Sequence, residues 1–139
     1  MKKAIEIAQS SDFVEKMEGG YDASIAQSGS NVSGGQRQRL AISRAISRKP
    51  EILVFDDSFS ALDYKTDRIL RAALNTELAD TTKLIVAQRI GTIRDADKII
   101  VLEEGKIVGI GTHQELMQTC EVYQDIAYSQ LSKEELAGE

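Results

Sequence analysis

Ser33-Gly34-Gly35-Gln36 places a hydroxyl, two glycines and an amide at the start of a helical pattern. The Ser and Gln spacing fits a capping box, in which Ser33 caps the helix and Gln36 reaches back to it. The glycines weaken a helix by about 1 kcal/mol each. They also leave backbone N–H groups open at its positive end, which is where an anion such as phosphate binds. Arg37 and Arg39 follow at once. The segment therefore reads either as a plain cap or as an anion site. Further along, the apolar run Ile52-Leu53-Val54-Phe55 is closed by Asp56-Asp57. An acidic residue ending a buried parallel strand lies at the sheet edge where α/β proteins bind ligands. There Asp56 can hold Mg2+ directly or through water, and Asp57 can orient an attacking water. The plain alternative is that the two acids merely open a turn, continued by Ser58-Phe59-Ser60-Ala61-Leu62, with Asp63 capping the next helix.

The elements that must carry these groups follow from the apolar periodicity. Residues 2–17 are helical in pattern and interrupted near Ser10-Ser11, with Ile5, Ala8, Phe13 and Met17 on the buried side. Residues 19–32 are rich in Gly, Ser, Asn and Gln and read as loop. A helix is expected from Gly34 to about Arg48, ending before Pro50. Ile52 to Phe55 has the continuous apolar character of a strand buried on both faces. A helix over 64–78 turns Ile69, Leu70, Ala73 and Leu74 to one side. Leu84 to Ala87 is a second buried strand. Ile99 to Leu102 is a third, which turns at Glu103-Glu104-Gly105-Lys106 into Ile107 to Ile110 as a hairpin. Helices near 113–119 and 121–131 close the chain ahead of a charged tail over 131–139. Helices alternating with buried strands make the fold class α/β with a partly parallel sheet.

The bulk properties exclude several functions. The chain of 139 residues carries a net charge of −5 and a pI near 5.0. That argues against broad neutralisation of nucleic-acid phosphates, so no nucleic-acid partner is expected. A single cysteine, Cys120, rules out an intramolecular disulfide framework, and a single histidine, His113, rules out the usual zinc arrangements. Cys120 reads as a small packing residue. Thr112 to Glu115 is a second capping box, with His113 as a solvated residue of its first turn. No apolar run reaches the length of a membrane span, and no apolar segment of the signal-peptide kind follows Met1-Lys2-Lys3, so a soluble chain is expected.

Taken in order, the motifs resemble those of an ABC transporter nucleotide-binding domain of the exporter type. Asn31-Val32-Ser33-Gly34-Gly35-Gln36-Arg37-Gln38-Arg39 is similar to the ABC signature, Ile52 to Asp56 to the Walker B strand, and Ser60-Ala61-Leu62-Asp63 to the D-loop. Ile85-Val86-Ala87-Gln88-Arg89-Ile90 resembles the switch strand, and Gly105 to His113 the exporter hairpin. Gly20-Tyr21-Asp22 through Gly29 resembles the stretch that precedes the signature in exporters. The resemblance runs from about residue 4 to 130. It implies an incomplete P-loop NTPase (RecA-like) core at 49–139, joined to part of the ABC helical subdomain at 1–48. It also implies that ATP with Mg2+ is used, that Ser33, Gly34, Gly35, Gln36 and Asp63 contact nucleotide, that Asp56 binds the metal, and that Asp57 and Gln88 serve hydrolysis.

The sequence departs from the family's pattern at three positions. Asp57 stands where the general base is normally Glu, Gln88 where the switch residue is normally His, and Gln27 where exporters often carry Glu. A carboxylate set back by one methylene is misplaced on the order of 1 Å, which can lower a rate roughly 100-fold. An amide at 88 can still donate to a phosphate oxygen but cannot become an imidazolium. With the signature intact, the chain resembles the degenerate-site subunit of a heterodimeric multidrug or lipid exporter. Its expected partners are a second nucleotide-binding domain and a transmembrane domain, at the cytoplasmic face of a membrane. No G-x-x-x-x-G-K-[ST] loop occurs in the 139 residues, so the piece alone is expected to be inactive, whether cut from a longer protein or made by a shortened gene. By the resemblance, the P-loop strand would lie between 84–87 and 99–102. Without it, exposed strand edges should make the piece self-associate. Two other readings stay open. One is an ABC-type ATPase of DNA repair or chromosome maintenance, although residues 1–30 lack the heptads that would support it. The other is a non-enzymatic relic or interaction module.

Overall fold

α-Helices α1 (Lys2–Ile7), α2 (Ser11–Val14) and α3 (Gly34–Ser47) lead into strand β1 (Ile52–Asp56), α4 (Tyr64–Glu77) and β2 (Thr82–Val86). Then come α5 (Ile90–Ile93), the strands β3 (Ile99–Glu103) and β4 (Lys106–Gly111), α6 (His113–Thr119) and α7 (Glu121–Ala137). This computed structural model describes the backbone of residues 1–137 and the side chains of residues 1–130. The expected charged tail is helical through Ala137; residues 138–139 and the side chains of 131–139 lie outside the described residues. By packing, the chain divides into a unit of Met1–Val86 and a unit of Ala87–Glu139.

In the first unit β1 and β2 pair in parallel, with Val54 opposite Leu84 and Asp56 opposite Val86. One core joins Ala4, Ile7, Ala8, Ile42 and Ile46 to Leu53, Phe55, Phe59, Leu62, Leu70 and Leu74. α1 and α3, placed by sequence in a helical subdomain, thus share a core with β1 and α4. Phe55 and Phe59 meet at 5.2 Å between ring centroids, fixing the turn after β1 to the strand itself. A smaller cluster gathers Ile5, Phe13 and Val14, with Met17, Tyr21 and Leu40 packed against it.

β1 is not buried on both faces. Its burial alternates, leaving Ile52 and Val54 each 62% exposed, and Leu84 and Val86 of β2 are exposed at 54% and 52%. The reason is that the helical core covers one side of this two-stranded sheet, and no described residue buries the other. Ile69 likewise points to solvent, and the inward face of α4 is made by Asp67, Leu70 and Leu74 instead. Asp67 is buried because Arg71, one turn later, brackets it with three hydrogen bonds of 3.1–3.2 Å.

In the second unit β3 and β4 form an antiparallel hairpin with an irregularity between Val101 and Leu102. Ile99, Val101, Leu116, Cys120 and Tyr123 form its core. Cys120 packs as expected. A Cβ on Gly109 would lie 2.9 Å from the Cys120 sulfur, so only glycine lets the junction of α6 and α7 approach β4 this closely. The Thr112/Glu115 capping box is formed. His113, however, is half-buried rather than fully solvated. Its Nδ1 lies 2.9 Å from the Tyr123 hydroxyl, and burial raises the pKa of that phenol. α5, too short to show a period, was not foreseen.

Candidate functional site

The start of α3 is built as the spacing requires. The Ser33 hydroxyl accepts from the Gln36 amide at 3.2 Å, and the Gln36 side chain accepts from the Ser33 amide at 2.9 Å. The amides of Gly34 and Gly35 belong to the first turn, whose N–H groups a helix cannot satisfy from within. Ser33 and Gly34 are exposed and Gly35 is half-buried. Two turns of α3 face a single neighbour. Gly34, Gly35 and Gln38, related by three or four positions, share one side of the helix, and that side meets Ala61. A Cβ on Gly35 would lie 3.0 Å from the Ala61 carbonyl oxygen, and one on Gly34 3.8 Å from the Ala61 methyl. The glycines therefore serve close packing as well as open amides.

Asp56 ends β1 with its side chain exposed, and the exposed Asp57 follows in the left-handed conformation at φ 47°. Asp is one of the few residues that visit this region readily, because its short polar side chain bonds locally. The Asp57 amide donates to the Val86 carbonyl at 3.0 Å, tying the residue to the end of β2. Its carbonyl accepts from the Ser60 amide at 3.3 Å, the Ser60 hydroxyl at 2.9 Å and the Gln38 amide group at 3.4 Å. Gln38 also donates to the Ser60 hydroxyl at 3.2 Å and accepts from the Ala61 amide at 3.0 Å. Gln38 was not singled out from the sequence, and its only signal was its place one turn beyond Gly34 and Gly35.

Asp63 closes the turn. Its carboxylate accepts from the Thr66 amide at 2.9 Å and the Thr66 hydroxyl at 2.7 Å, and these bonds lower its pKa. Asp63 is thus the N-cap of α4. Ser33 to Gln36, Asp56, Asp57 and Asp63 all lie in the first unit, and contacts of Gly35 and Gln38 join the helix start to the turn. Arg37 and Arg39 do not join them. The Arg37 guanidinium donates to the Ser28 carbonyl at 2.9 Å. That of Arg39 stacks 4.9 Å over Phe13, donates to the Gln9 carbonyl and pairs with Asp12 at 3.1 Å. Both cations are engaged by the preceding loop and helices, which corrects the expectation that they reinforce an anion site.

Gln88 belongs to the second unit, where its side chain is exposed. Its carbonyl accepts from the Gln130 amide group at 2.6 Å, and the same Gln130 accepts from the Ile90 amide at 2.8 Å. Gln130, also unforeseen, holds the turn that presents Gln88. Among the described residues no group of three or more His, Cys, Asp or Glu is gathered as a metal cluster. The exposed carboxylate of Asp56 at the end of β1 is the kind of ligand from which Mg2+ takes one or two, completing its shell with substrate phosphates and water.

Comparison with known proteins agrees with this arrangement. Residues 4–60, which include α3 and the Asp56-Asp57 corner, match the ABC transporter family. A putative ABC transporter ATP-binding protein of Mycoplasma genitalium is 48% identical over 130 residues, 94% of this chain and 21% of that protein. An ATP-dependent lipid A-core flippase of Aliivibrio fischeri is 42% identical over 133 residues, 96% of this chain and 22% of the flippase. The structure of a bacterial Atm1-family ABC exporter with ATP bound superimposes with a TM-score of 0.86 at 33% identity, covering 91% of this chain and 22% of that one. The chain spans about a fifth of the length of these relatives. It is related to the ATP-binding domains of ABC exporters and carries the fold of their nucleotide-binding domains.

Proposed function

We propose that this chain, with the sequence and fold of the C-terminal portion of an ABC exporter's nucleotide-binding domain, serves two composite ATP sites unequally. Ser33 to Gln36 face the nucleotide of a competent site on a second nucleotide-binding domain. Asp56 and Asp57 line a site of the chain's own that hydrolyses slowly, and Gln88 serves the same hydrolysis as its switch residue. The observation that carries this reading is the capped start of α3, with its two glycines, braced against the turn that follows the Asp56-Asp57 corner. Backbone amides fixed at a helix N-terminus stabilise phosphate without reorganising.

Asp56 would hold Mg2+, which neutralises charge on the nucleotide phosphates. Asp57 orients the attacking water from a carboxylate set back by one methylene. Asp63 acts on the site through the D-loop, whose end it fixes by capping α4. The whole assembly couples ATP to export, through a transmembrane domain, from the cytoplasmic face of a membrane. The names of the relatives support export and flipping; the degenerate character rests on Asp57 and Gln88.

The test is made in the longer protein, paired with its second nucleotide-binding domain. Ser33→Arg fills the amide cradle with a long cation and should abolish turnover at the partner's site, lowering total ATPase activity at least tenfold. Unchanged ATPase activity in a folded variant rules the assignment out. The 139 residues alone contain no phosphate loop and should bind Mg-ATP weakly and release no phosphate; micromolar affinity by calorimetry would contradict that part of the reading.

A further inference from the structure

We infer that Gln38 is a positioning residue that sets the hydrolytic corner of the domain from the signature helix. It deepens the functional reading above and relies on it only for the effect on turnover. Three features converge on its side chain. First, Asp57 sits at φ 47°, a left-handed conformation that Asp adopts more readily than most residues and that sets the direction of both its carbonyl and its carboxylate. Second, besides the bond of its own amide to the Val86 carbonyl, its carbonyl accepts from Gln38, a donor on another element 19 residues away in sequence. Third, the same side chain accepts from the Ala61 amide, at the residue whose carbonyl Gly35 approaches most closely.

A primary amide offers both a donor and an acceptor in one fixed plane. Gln38 uses both ends, on Asp57 and Ser60 with its nitrogen and on Ala61 with its oxygen. A shift of α3 along its axis therefore moves the Asp57–Ala61 turn with it, and the carboxylate of Asp57 turns with its own backbone. The residue touches no reacting atom; it acts through Asp57 and the D-loop.

The experiment compares Gln38→Met, which keeps length but loses both bonds, with Gln38→Glu, which keeps the acceptor and loses the donor. Amide exchange is followed in the 139-residue chain. In Gln38→Met the Ala61 amide should exchange about fivefold to tenfold faster, the equivalent of one ordinary hydrogen bond. In Gln38→Glu its protection should survive. An Ala61 exchange rate unchanged in folded Gln38→Met overturns the inference, as does loss of Ala61 protection in Gln38→Glu. Should Gln38→Met fail to fold, Gln38→Glu decides alone. In the longer protein Gln38→Met should lower kcat roughly tenfold or more while KM stays near its original value, since misplacement of a positioned group acts on the chemical step. If Ala61 exchange responds but kcat does not, the clamp stands and the hydrolytic role given to Asp57 falls.

Discussion

Gly35 approaches the Ala61 carbonyl so closely that a Cβ there would lie 3.0 Å from the oxygen. The first turn of α3 and the turn after β1 are in backbone contact at this point. Ala raises helix propensity by about 1 kcal/mol over Gly, and overpacking costs about 1–3 kcal/mol. Gly35→Ala is therefore expected to be neutral to destabilising, whereas Gly34→Ala, with 3.8 Å of room, should stabilise. Denaturant midpoints of the two variants measured side by side check this, and a stabilised Gly35→Ala would mean that the turn yields freely.

Arg71 should matter more to stability than any exposed ion pair of the first unit. It pairs with Asp67, whose side chain is 3% exposed against 15% for the arginine. Removing one partner of a buried pair leaves an uncompensated charge and costs about 3–5 kcal/mol. Arg71→Leu should show that loss in urea unfolding, and Asp67→Leu with Arg71→Leu should recover most of it. By contrast Lys3→Ala, which breaks the exposed pair with Glu77, should change little.

The cap at Asp63 gives a pH dependence of known sign. Its pKa is lowered in the folded chain by the Thr66 side-chain and backbone hydrogen bonds. A depressed carboxyl pKa adds stability above the unfolded value of about 3.8–3.9 and loses it as the pH falls through the folded value. The stability gap between the wild type and Asp63→Ala should be full at neutral pH and shrink below pH 4. Asp63→Asn, which caps without titrating, should show no such narrowing.

Hydrolysis at the chain's own site should respond to restoring the family's usual residues. In the longer protein Asp57→Glu with Gln88→His is expected to raise turnover at this site, measured with the partner's site silenced. The gain should come with slightly lower stability, because Glu is less at ease than Asp at φ 47°. Complete loss of ATPase activity in the heterodimer on Asp57→Asn alone would show that Asp57 is the principal base and the site is not degenerate.

Self-association is expected of the 139-residue chain on its own. Among the described residues β2 has one hydrogen-bonded neighbour, β1, and β3 has one, β4. Ile52, Val54, Leu84 and Val86 form an exposed apolar row across the first sheet, and Ile100, Leu102, Ile107 and Ile110 are exposed on the hairpin. Open strand edges beside apolar surface recruit further chains. Light scattering should show mass rising with concentration, and Leu84→Lys should suppress it. A monomer at all concentrations with unprotected β2 amides would refute the expectation.

Much of this molecule is written locally in its sequence. The caps at Ser33, Asp63 and Thr112 are set by side chains bonding three residues ahead, a distance the backbone fixes without help. The limits of α3 and β1, and the parallel order of β1 and β2, follow from apolar period and breakers in the same way. What tertiary structure decided lies where a group's partner is distant in sequence. Arg39 is claimed by Gln9 and Asp12, 30 and 27 residues away, and no local pattern distinguishes that from anion binding. Gln38 reaches Ala61 and His113 reaches Tyr123, pairings that exist only once separate elements are packed. The open face of β1 was also beyond local reading. Apolar side chains on both sides of a strand record what they can bury, but which side is covered depends on how much helix packs there, and here only one side of the sheet is closed.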